Sequence, residues 1–165
     1  MVLRGILAAV FGTVLMTLSS ETEASLTGRK PSQAPGKAVG TILSALGGPP
    51  LEGKALAAVS TWGHWVYGAA WGIVFWGLAD PKLLGLGPAA AAPLFGAVVW
   101  IVAQIHQPLL GVSRPIWQYG RRALAIDLWH HAVYAGGTAI GWWLIGQAVS
   151  GLTFLQSGQA TNTVG

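Results

Sequence analysis

Two short segments, WGHWVY at residues 62–67 and WHHAVY at residues 129–134, carry Trp, His, Val and Tyr at one spacing within otherwise apolar sequence. A neutral imidazole can ligate haem iron, a metal ion or the magnesium of a chlorophyll-type pigment, and a nearby carboxylate can set its tautomer. His64 and His131, with Tyr67 and Tyr134 one helical turn further on, are therefore the candidate cofactor-binding residues. Glu21 and His106 add two ionisable groups, so the candidate metal set is Glu21, His64, His106 and His131. Asp127 and His130 lie beside His131 and extend the set to a ring that could also relay protons. A competing reading assigns each residue a smaller task. Trp62, Trp65, Trp76, Trp129 and Trp143 have the composition of an aromatic interface belt, Asp127 could cap a helix, and Glu21 could be solvated in a loop.

The elements that position these residues follow from composition. Charged residues make up 8% of the chain and hydrophobic residues 53%, whereas a soluble domain carries roughly a quarter charged. Uncharged runs cover Ala55 to Ala79, Leu83 to Ser113 and everything after Asp127. Crossing the hydrocarbon core takes about 20 apolar residues in a helix. The pattern predicts an all-α integral membrane protein, residues 1–165 forming one domain, with spans near 3–20, 61–79, 89–110 and 128–149. Prolines between the runs are sensible boundaries. A secretory signal over residues 1–24 is the alternative for the first run. Val39, Ile42, Leu43 and Leu46 share a helical face, which predicts a short interfacial helix in the first loop.

Arg29, Lys30, Lys37, Lys54, Arg114, Arg121 and Arg122 fall in the first and third loops, against only Arg4 and Lys82 on the opposite side. The positive-inside rule then puts those loops in the cytoplasm and both termini outside. The basic balance fits an anionic leaflet rather than nucleic acid.

Residues 62–76 align with 129–143, pairing Trp62 with Trp129, His64 with His131, Tyr67 with Tyr134 and Trp76 with Trp143. This reads as two tandem, parallel-repeated helical hairpins. Gly68 and Gly72, Ala135 and Ala139, and Gly137 and Gly141 have four-residue spacing, which predicts close contact between the second and fourth spans. On that topology Glu21, His64, His106 and His131 reach one membrane depth.

The segments GILAAVFGTVLMTLSSETEASLTGRKPSQAP, HWVYGAAWGIVFW, LFGAVVWIVAQIHQPLLG and HHAVYAGGTAIGWWL resemble the YagU-like family of small four-helix bacterial inner-membrane proteins. The resemblance covers about residues 5 to 148 and implies a four-span fold in the bacterial cytoplasmic (inner) membrane; no biochemical activity carries over. It puts Glu21, His64 and His131 on recurring polar positions of the family, and leaves His106 and His130 outside them.

No P-loop, dinucleotide fingerprint, nucleophile elbow or His-Glu-x-x-His helix occurs, so no enzyme activity is predicted. The leading expectation is a non-catalytic accessory, scaffolding or assembly subunit of a larger membrane complex, including a pigment- or redox-containing one. Its partners would be lipids and other membrane subunits, with homo-oligomerisation open. An intramembrane binder of haem, a metal ion or a chlorin is the second expectation, and a proton or small-solute transporter the third.

Overall fold

The computed structural model describes residues 1–30 and 32–162, with side chains through residue 151. It contains five α-helices: α1 (Val2–Thr27), α2 (Ala34–Ala45), α3 (Gly53–Ala79), α4 (Gly87–Leu109) and α5 (Arg121–Asn162). One 3-10 turn, Ile116–Gln118, precedes α5, and no strand occurs among the described residues.

The four long helices extend beyond the apolar runs. In α1 the hydroxyls of Thr17, Ser20, Thr22, Ser25 and Thr27 each donate to a carbonyl three or four residues back. Polar side chains satisfied in this way stay helical, so α1 continues beyond Ser20 and carries Glu21 on its exposed surface rather than in a loop. It stops at Gly28, where φ is 69°, a conformation that glycine adopts without steric cost. Asp80 ends α3 in extended geometry, as a residue preceding proline must. Pro88 opens α4 from the first turn, where the missing amide costs nothing.

The packing forms a ring in which α1 lies between α3 and α5, and α4 closes the far side between the same two helices. Neighbours run antiparallel. Gly5 meets Gly72 at one end while Thr17 meets His64 at the other, and Arg4 meets Trp142 while Ser19 meets His130. The helices bearing WGHWVY and WHHAVY therefore point the same way, across a diagonal.

That diagonal corrects the expected contact between them. A Cβ on Gly72 would strike the carbonyl of Gly5, and one on Gly68 would strike Thr13. On α5, Gly137 lies against Gly12, and Gly141 against Ala8 and Phe11. Both sets of small residues thus close on α1, which presents Gly5, Ala8, Ala9, Gly12 and Thr13 buried in its stripe. The physical reason is volume. A helix whose inward faces carry almost no side chain can be approached from two sides, and in lipid-like surroundings such approach is a main source of association. Between the remaining corners the space is filled by Phe75, Phe95, Tyr134 and Trp142, packed edge to face or tilted at 5.2 to 5.9 Å between ring centres.

On α5 the residues that share one face at 3.6 residues per turn, His131, Tyr134, Ala135, Thr138 and Trp142, are each at most 8% exposed. The corresponding face of α3 is less buried, since Tyr67 is 43% exposed. α2 does form, and packs on α3 where Gly36 sits over Ser60, with Val39, Ile42 and Leu46 turned outward. By length and composition, α1 and α4 are each apolar enough to cross a membrane. Trp, His and Tyr lower the hydropathy of the other two long helices.

Candidate functional site

The predicted site histidines and Tyr134 each have their own local partners. His64 on α3 meets Thr17 on α1, with Nε2 3.0 Å from Oγ1. The Thr17 hydroxyl donates to the Thr13 carbonyl, so it must accept from the imidazole, and His64 carries its proton on Nε2.

His106, near the end of α4, donates from Nδ1 to the Val102 carbonyl, which only accepts, and its ring lies 5.7 Å from that of Tyr67. Tyr134 crosses the diagonal, donating its hydroxyl to the Gly68 carbonyl at 2.6 Å. Glu21 is exposed on α1. Tyr67 and His106 are brought together, whereas Glu21, His64, His106 and His131 do not converge as the sequence predicts. No three His, Asp or Glu among the described residues are grouped so as to hold a metal ion. The geometry responsible is the ring of helices: histidines equivalent by spacing stand on diagonal corners and turn toward different neighbours.

A tighter polar group forms between α4 and α5. Asp127 accepts from the indole of Trp100 at 2.9 Å and from the amide of Gln104 at 2.7 Å, both on its Oδ2. Its Oδ1 stands 3.7 Å from Nδ1 of His131. Asp127 therefore does not cap α5, which begins well before it at Arg121; it ties two helices together. His131 donates from Nδ1 to the Asp127 backbone carbonyl at 2.8 Å, so in the neutral ring Nε2 keeps its lone pair. That side chain lines a groove of about 470 Å³ floored by Gly96, Ala97, Ala132 and Ala135 and walled by Trp100 and Leu128.

Sequence reasoning missed Trp100 and Gln104, because two neutral residues on a different helix give no signal at any fixed spacing from Asp127. The residue that the sequence alignment sets against Asp127 is Ser60. It accepts from the amide of Gly36 and donates to the Gln33 carbonyl, holding α2 instead. The two aligned positions thus tie different helices, Asp127 α4 to α5 and Ser60 α2 to α3.

Ser19 collects the next group. It accepts from the Trp129 indole at 3.2 Å and lies 3.0 Å from Nδ1 of His130, to which its hydroxyl is left to donate. His130 is buried, and its Nε2 has no hydrogen-bond partner; the nearest carboxylate oxygen, on Glu23, is 4.0 Å away. Glu23 is paired with Arg29 at 2.7 Å.

At the opposite end, Arg4 donates from Nε to the Trp142 carbonyl at 3.0 Å and stacks over that indole at 4.1 Å, which accounts for a lone arginine within an apolar run. Asp80, 2% exposed, accepts from the Lys82 amide and the Trp76 indole. The Lys82 amide above all holds its carboxyl below the usual carboxylate range.

The chain matches no protein-family model, no curated protein and no solved structure.

Proposed function

We propose that this chain is a multi-pass, non-catalytic accessory or scaffolding subunit of the bacterial inner membrane, crossing it with α1, α3, α4 and α5 as two repeated hairpins. In this reading loops one and three lie in the cytoplasm, both termini lie outside, and the YagU-like resemblance reflects kinship. The observation that carries it is the outward display of large apolar side chains. Trp62, Trp129 and Trp143 are 71%, 62% and 53% exposed, alongside Ile101, Ile105 and Ile140. Exposed apolar side chains of this size on three helices need lipid or another apolar surface to cover them.

Crosslinking in native membranes followed by mild solubilisation and native gel migration tests the proposal. The expected result is a stable assembly with a second membrane subunit, weakened when Trp62 and Trp143 are replaced by Ala. A lone protomer at every detergent strength overturns it.

The unpartnered Nε2 of His131 in the α4–α5 groove favours a second reading, in which this one histidine ligates the central metal of a haem or chlorin lying on the small-residue floor. Protein purified from a pigment-producing host is then expected to absorb in the visible, with loss of the band in His131→Ala and its retention in His64→Ala. A colourless, metal-free wild-type preparation disposes of it.

A further inference from the structure

The α1–α5 interface opens at the basic end into a second groove, of about 660 Å³, between the last turns of α1 and the first turns of α5. Its lining is mostly apolar, with its charged residues at the outer end. Leu18, Ala125, Ile126 and Trp129 line it toward the bundle with the hydroxyls of Ser19 and Thr22 beside them, while Glu23, Leu26, Thr27 and Arg122 lie at its outer end.

The charges at the rim are unequal in their commitments. Glu23 accepts from Nε and from the terminal nitrogen of Arg29, at 2.8 and 2.7 Å, so its negative charge is already answered. Arg122 has neither an ion pair nor a hydrogen bond to any described side chain. An unanswered guanidinium over an apolar trough has the polarity of one molecule class. A phosphodiester headgroup can pair bidentately with the guanidinium while an acyl chain lies along Leu18 and Ile126. A zwitterionic headgroup brings its own cation to the same rim, and loses by that repulsion.

We propose that this groove is a binding site for an anionic phospholipid, with Arg122 as the headgroup ligand. The inference rests on the membrane-spanning reading of α1 and α5.

The test uses the full chain purified in mild detergent, with the thermal unfolding midpoint followed as phosphatidylglycerol or phosphatidylcholine is added to the micelles. Phosphatidylglycerol is expected to raise the midpoint further than phosphatidylcholine. In Arg122→Gln, an exposed position where folding is undisturbed, that extra increment should vanish. In Arg114→Gln, which removes an arginine outside the groove, it should persist. An Ile126→Trp variant, which fills the trough, should lose the increment while Arg122 is intact.

Retention of the increment in Arg122→Gln, or equal loss in Arg114→Gln, overturns the site in favour of diffuse charge. Inorganic phosphate reproducing the shift overturns the lipid assignment. Failure of the underlying reading looks different: the chain would wash off membranes at alkaline pH, or stay soluble without detergent.

Discussion

Gly72→Ala is expected to lower stability by about 2–3 kcal/mol, although alanine is the better helix former by roughly 1 kcal/mol. The sign is decided by what the added methyl meets. At Gly72 it would strike the Gly5 carbonyl and the Cα of Ile6, both backbone atoms of α1, so a helix rather than a side chain must move. Such a shift also disturbs Gly68 against Thr13 two turns away, because α1 is rigid over that length.

Gly77 on the same helix is the internal control, since a methyl there meets nothing within 4 Å. Gly77→Ala should be neutral or stabilising by up to about 1 kcal/mol. Comparing the two by thermal unfolding in detergent isolates packing from propensity. If the two variants unfold at the same temperature, α1 does not approach α3 as closely as described.

The helical class of the fold was legible because blocks of apolar residues separated by prolines leave few alternatives. The ends of the helices were not, since hydropathy marks where apolar side chains run out, whereas α1 continues through hydroxyls bonded to its own carbonyls up to Gly28. The stripe His131, Tyr134, Ala135, Thr138 and Trp142 could be read from a period of 3.6 residues, and all five are buried. Periodicity names a face but not what that face looks at. Small-residue spacing on α3 and α5 announced close approach correctly but assigned it to the wrong pair of helices. The partner proved to be α1, whose own Gly5, Ala9 and Thr13, and Ala8 and Gly12, carry the same four-residue spacing. The candidate site suffered most from this ambiguity. Placing His64 and His131 in corresponding positions says nothing of whether the two rings share a centre, and diagonal corners send His64 to Thr17 and His131 to its own helix.

Asp127→Ala is expected to cost about 1–3 kcal/mol, since it leaves the Trp100 indole and the Gln104 amide without their acceptor. The lower part of that range applies to the extent that water reaches the site, as the Asp127 side chain is 39% exposed. Asp127→Asn should behave differently. Both donors use one oxygen, and an asparagine carbonyl oxygen can occupy that position, so the cost should fall to about 1 kcal/mol, below that of Ala. Equal damage from Asn and Ala would mean that the charge itself matters, through His131 or through a ligand. A double-mutant cycle with Trp100→Phe completes the measurement. If the indole donates to Asp127, the Trp100→Phe and Asp127→Ala effects are non-additive by about 0.5–1.5 kcal/mol, and Trp100 emission changes in Asp127→Ala alone. Additivity of the two would leave α4 and α5 joined only by their apolar faces and remove Asp127 as the tie between them.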